Sequence, residues 1–152
     1  MNIAWMYLDK KVAAIKAIKD SCSMDQIIRN YESAVEEKQT RMLPQQSSVV
    51  SLMSRSTGTL STAEARITDS IDAIDVIRGR YHRAVEFMTW FRPAWDALAE
   101  DERVILSEFY RSDTSKNTVV SNLCRYLHVE RTQIYRLKDK AIDSLALLLY
   151  GK

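Results

Sequence analysis

The sequence is poor in the residues that interrupt regular structure. Three glycines (58, 79 and 151) and two prolines (44 and 93) in 152 residues exclude a fold of many short strands and tight turns and favour long helices. Two isolated cysteines, Cys22 and Cys124, cannot build a disulfide framework. The two histidines, His82 and His128, and the scattered glycines supply neither a phosphate-cradling loop nor a nucleophile with its base. Cys124 and His128 are half of a metal site at helical spacing, but no second ligand pair follows, and Cys124 has a use as a small packing residue. No apolar run is long enough to span a bilayer, and Met1 to Leu8 lacks the pattern of a secretion signal. These absences lead to an all-α, cytoplasmic chain that is not an enzyme and needs neither cofactor nor metal.

What is present is hydrophobic periodicity at helical spacing. From Trp5 onward apolar residues recur at Leu8, Val12, Ile15, Ile18, Ile27 or Ile28, Tyr31 and Val35, which predicts helix over about 3–42. Ser23-Met24-Asp25-Gln26 has capping-box spacing and suggests a break near Cys22; Leu43-Pro44 ends the stretch. Residues 43–61 are rich in Ser and Thr and read as a polar loop anchored by Val49, Val50, Leu52 and Met53.

Ser61-Thr62-Ala63-Glu64 opens a second helix over 62–92. Its stripe of Ile67, Ile71, Ile74, Ile77 or Arg78, Tyr81, Val85 and Met88 steps by three and four residues, as in a coiled-coil seam. Thirty helical residues span about 45 Å, so the stripe needs a cover. An intramolecular hairpin and a dimeric coiled coil are both open, and a hairpin that also dimerises is favoured. Pro93 stops this helix or opens the next one. The division that follows is a helical arm, 1–92, and a compact end, 93–152.

The compact end carries the functional signal. In Val120 to Leu137, Leu123, Leu127, Val129, Ile134 and Leu137 sit at the offsets that let two short helices pack across a tight turn, with Cys124 where the axes approach. That is a helix-turn-helix, whose second helix enters the DNA major groove. Thr118 is placed to cap its first helix. His128 holds the position where many such turns carry Gly, because the backbone there often takes positive φ. Glu130 stands where Ser or Thr would cap the second helix; its carboxylate suits the helix N-terminus but repels phosphate. Arg131, Gln133, Arg136, Lys138 and Lys140 lie between the inward positions, able to reach phosphates or base edges. Residues 111–152 hold eight Lys or Arg against four Asp or Glu, whereas residues 1–110 hold fourteen against sixteen. The basic charge therefore lies with the reading helix, as DNA binding requires. Upstream, Trp95, Leu98, Val104, Ile105, Leu106, Phe109 and Tyr110 are expected to form a strongly apolar helix, and Glu100-Asp101-Glu102 reads as an acidic cluster of the kind a helix N-terminus favours. Tyr135 is placed to pack on Phe109, and the tail is expected to pack through Ile142, Leu145, Leu148 and Leu149.

DERVILSEFY and LHVERTQIYRLKDKAIDSL resemble the promoter-reading fourth region of bacterial sigma factors. The positions that fit are Val129, Arg131, Ile134, Tyr135, Arg136, Ala141 and Leu145, while His128 and Glu130 depart from the pattern. Nothing upstream resembles the sigma region that melts promoters. A helical arm, a polar loop, a second helix and a sigma-like end are together similar to phage late-gene regulators of the RinA and ArpU type. The resemblance implies a transcription activator in the bacterial host cell that binds double-stranded DNA upstream of packaging or lysis genes. Arg131, Thr132, Gln133, Arg136, Lys138 and Lys140 would form its DNA-facing set, with Thr132 and Gln133 at the base edges. It also implies a surface near Trp95 and Phe109 for RNA polymerase, while the uncovered stripe of the second helix points to a homo-oligomer, with a dimer favoured. Two other readings of the same pattern are a small-terminase-like DNA-packaging protein and a helical adaptor without a DNA role.

Overall fold

Helices account for all regular structure among the described residues: α1 (Lys10–Met42), α2 (Gly58–Asp96), α3 (Glu100–Tyr110), α4 (Lys116–Leu127) and α5 (Arg131–Tyr150). The chain is all-α. The structure is a computed structural model that describes residues 9–43 and 58–151, with side chains from residue 63 in the second stretch. The expected helical turns before residue 9, the loop anchors Val49, Val50, Leu52 and Met53, and the capping side chains at 61 and 62 lie outside the described residues. No described helix is long and apolar enough to cross a membrane.

Where α1 begins, the Asp9 carboxylate accepts from the backbone N–H groups of Lys11 (3.1 Å) and Val12 (3.2 Å), satisfying first-turn donors that lack helical partners. The expected break near Cys22 is absent, and α1 is a single helix. Just before the expected cap at Ser23, the Ser21 hydroxyl donates to the Ile18 carbonyl at 2.6 Å, bonding back into the same helix. Helix α2 also differs at both ends. It starts at Gly58, ahead of the Ser61 cap expected, and it runs through Pro93 to Asp96. A proline costs the backbone donor at its position. Here Pro93 is exposed while Phe91 and Ala94 beside it are buried, and the ladder resumes with Ala97 N–H to the Pro93 carbonyl at 3.1 Å.

The chain forms two compact units, one of Gln26–Val85 and one of Met1–Asp25 with Glu86–Lys152. Neither border falls at 92/93, where the sequence suggests one; both lie inside α1 and α2 instead. In the first unit α2 buries Ser70, Ile74 and Ala84, and Tyr81 stacks on Tyr31 of α1 with ring centroids 4.1 Å apart. The expected stripe is covered within the chain at Ile74, Ile77 and Tyr81 and left open at Ile67, Ile71 and Val85, which are 42%, 48% and 36% exposed.

The second unit holds the largest buried side chains, Phe91, Ile18, Ile105, Leu106, Leu123, Ile134 and Leu145. Here α1 contributes Ala14, Ala17, Ile18 and Ser21. Along α2, Phe87, Phe91 and Trp95 stack at four-residue spacing, with centroids 5.8 and 5.7 Å apart. The Arg111 guanidinium closes this ladder 4.5 Å above the Trp95 ring and donates to Ser21 Oγ at 2.7 Å. Lys11 pairs with Asp143 at 2.9 Å, and Lys10 Nζ donates to the Gly151 carbonyl at 3.0 Å. Hydrogen bonding to Asp143 holds the Lys11 ammonium above its usual pKa. Desolvation, with the Asp139 carboxylate second, raises the Tyr110 phenol. The tail packs through Ile142, Leu145 and Leu149, but Leu148 is 46% exposed. Ala141 and Ala146 occupy the close contacts instead.

Candidate nucleic-acid interface

Helices α3, α4 and α5 meet around Ile105, Val119, Val120, Leu123 and Ile134, with Val104, Phe109, Cys124, Leu127, Val129 and Leu137 packed against that cluster. Every apolar position expected at the helical turn is therefore turned inward. The Glu102 carboxylate braces α3 from two sides, accepting from the Ala99 backbone N–H and from the Ser144 hydroxyl of α5, each at 3.1 Å. Glu100, Asp101 and Glu102 occupy the first turn of α3, where the helix dipole favours negative charge.

Ser115, not Thr118, caps α4: its side chain accepts from the Thr118 backbone N–H, and the two hydroxyls lie 2.8 Å apart. The link between α4 and α5 turns on His128, at φ 54° and ψ 43° in the left-handed region. It is the one non-glycine residue with positive φ among those described. Left-handed backbone is unfavourable for a residue with a Cβ. His128→Gly should therefore stabilise the protein by roughly 0.5–1 kcal/mol after the entropy of glycine is counted. A thermal melt checks this, and an unchanged or lower Tm would show that the imidazole makes up for the strain. Glu130 follows as N-cap of α5 with extended backbone and no side-chain cap bond, as its chemistry suggests.

The six residues singled out from the sequence do not form one surface. Thr132, Gln133, Arg136 and Lys140 are exposed along the first turns of α5. Arg136 forms no ion pair among the described residues and stands at the middle of this face. Arg131 is exposed but turned toward α4, donating from Nη2 to Asn117 Oδ1 at 2.8 Å. Lys138 departs from the set. Its side chain is 22% exposed, and its ammonium lies 5.3 Å from the Phe109 ring centre and 5.4 Å from that of Tyr135. Four residues after Ile134 and four before Ile142, it sits on the buried line of α5. Its cation rests against an aromatic pair whose rings are 6.1 Å apart. Tyr135 packs on Phe109 as the spacing suggests.

Charge along α5 changes sign on its way out. Asp139 and Asp143 are exposed beyond Arg136, but Lys138 lies 3.9 Å from the first and Lys11 2.9 Å from the second. These lysines partly offset the two carboxylates, and at the start of α5 Arg131 and Arg136 outnumber the one carboxylate of Glu130. Lys140 lines a cleft of about 290 Å³ with Asp101, Glu102 and the apolar side chains of Leu127 and Val129. Sequence reasoning missed the outer face of α4: Lys116, Asn117, Thr118, Ser121, Asn122 and Arg125 are all exposed there. The cap at Ser115 was the available signal, since it moves the helix start upstream and brings Lys116 and Asn117 to the end that meets Arg131. Cys124 is half-buried in the core, His128 is exposed, and no group of three metal-ligating side chains gathers among the described residues.

No protein-family model, curated protein or solved structure matches the chain.

Proposed function

We propose that α4 and α5 form a helix-turn-helix that reads double-stranded DNA, and that the protein is a sequence-specific transcription regulator. The observation that carries this is the start of α5. Its apolar side is spent on the α3–α4 core, the left-handed turn at His128 sets it off from α4, and Thr132, Gln133 and Arg136 are left outward, Arg136 with no ion pair among the described residues, while Lys140 lies further along beside Asp101 and Glu102. Side chains of this kind on the first turns of a second helix suit base edges in the major groove. The hydroxyl and amide groups of α4, with Lys116 and Arg125, suit the flanking phosphates. Arg131, tied to Asn117, acts in this reading as the brace between the two helices and reaches phosphate at most.

The resemblance to sigma-like ends of phage late-gene regulators extends the proposal to an activator of phage or prophage late genes. It would work in the cytoplasm of a bacterial host as a homo-oligomer in contact with RNA polymerase.

Selection from a pool of random duplexes, with affinity followed against salt, tests the reading. One enriched motif is expected, and log affinity should fall linearly with log salt by about 0.9 for each phosphate neutralised. Retention of duplex without any enriched motif would remove the regulator reading in favour of packaging. Absence of binding at low salt would leave the α4–α5 pair as a packing unit.

A further inference from the structure

In the unit formed by Gln26–Val85, α2 carries apolar residues on two adjoining lines. One line is buried or half-buried: Ser70, Ile74, Ile77, Tyr81 and Ala84. Beside it lie Ile67, 42% exposed, Ile71, 48% exposed, Arg78 at 55% side-chain exposure, and Val85, 36% exposed. Positions 67, 71, 74, 78, 81 and 85 alternate steps of four and three, the repeat that keeps a seam facing a partner helix. Ile74 and Tyr81 belong to both lines, so α2 has a second seam after the first is covered.

We propose that this second seam binds a second copy of the chain, with the two α2 helices antiparallel about a two-fold axis at the height of Val76, whose own side chain is on the far face of the helix. Arg78 decides both the partner and the direction. In a parallel, in-register pair the two Arg78 side chains would meet on the seam, and like charges there repel. Reversing one helix gives apolar layers of Ile71 with Tyr81 of the second copy and of Ile67 with its Val85. Each Arg78 then packs beside the opposite Ile74 and reaches the opposite Asp75. Asp75 already attracts the Arg78 of its own chain at 3.6 Å, so the pair forms a ring of two arginines and two carboxylates around the axis. The surface is its own complement, as a closed two-fold interface requires. The inference rests on a different observation from the DNA reading and stands or falls separately.

Sedimentation equilibrium of the full chain is the first test, and a dimer is expected. Ile71→Glu should abolish it while far-UV circular dichroism stays unchanged, since the side chain is half exposed. Arg78→Glu, which sets carboxylates against Asp75, should weaken the dimer roughly three- to tenfold. The charge swap Asp75→Arg with Arg78→Glu should restore it. Direction is read by oxidative cross-linking in chains whose Cys22 and Cys124 are replaced by Ser. At 1.5 Å per residue, position 67 lies about 27 Å along the axis from its own copy in the antiparallel pair. Ile67→Cys alone should therefore not cross-link, whereas a mixture of Ile67→Cys and Val85→Cys chains should. A chain that is monomeric at every concentration, or an Ile67→Cys chain that cross-links to itself, overturns the proposal.

Discussion

A fragment of residues 93–152 will not unfold cooperatively, although it contains all of α3, α4 and α5. The reason lies in what it leaves behind. Ile18 and Phe91 are 0% and 1% exposed in the unit that contains those helices. At about 1.5–3 kcal/mol for each fully buried large side chain, these two alone stand for roughly 3–6 kcal/mol. A domain is stable by only about 5–15 kcal/mol in total. Arg111 would also lose the acceptor at Ser21, and its Nε is already buried without a partner among the described residues. Denaturant unfolding followed by circular dichroism makes the comparison. Residues 86–152 with a peptide of residues 9–25 added should regain a sigmoidal transition that 93–152 lacks. A 93–152 fragment as stable as the full chain would show that the α1 segment is an ornament on a self-sufficient bundle.

Arg136→Ala should lower affinity for a selected duplex by roughly 5- to 150-fold, the range of a bidentate contact between arginine and guanine, while random duplexes lose much less. Lys138→Ala should act on stability instead. Its ammonium lies against Phe109 and Tyr135, so the change should lower Tm and leave the ratio of selected to random affinity alone. Competition binding at fixed salt measures both. Equal losses on the two kinds of duplex for Arg136→Ala would reduce that residue to a phosphate contact. A changed ratio for Lys138→Ala would mean that the lysine swings out onto DNA.

The α3–α5 end was largely legible in the sequence because its helices are short and strongly two-sided, so each apolar position has few alternatives. The positive φ at His128 and the acidic start of α3 follow from local chemistry and were legible for the same reason. Lys138 was also legible, since its place four residues from both Ile134 and Ile142 puts it on the buried line; residue type misled where periodicity did not. The arm was harder. Its close contacts are made by Ala14, Ala17, Ser21, Ser70 and Ala84, small residues that a search for large apolar side chains passes over. Ile67 and Ile71 are exposed in one copy because the line buried within the chain runs beside theirs on α2. Pro93 and the Ser-Cys-Ser run at 21–23 are helix-breaking signals by composition, and tertiary packing around Phe91, Trp95 and Arg111 overrides both.

The ring ladder on α2 also gives the molecule an optical property. Trp95 is stacked on Phe91 and covered by a guanidinium, while Trp90, one and a half turns earlier, is 39% exposed and tilted against Tyr150 at 5.7 Å. The two indoles therefore sit in unlike surroundings, one half-buried beside a fixed cation, the other more open to water. Their emission will differ in colour and in access to soluble quenchers. In a Trp5→Phe chain, which removes the third indole of the sequence, release of α1 from this unit would register first in the Trp95 component, because Arg111 touches both Trp95 and Ser21. No added dye is needed to follow it.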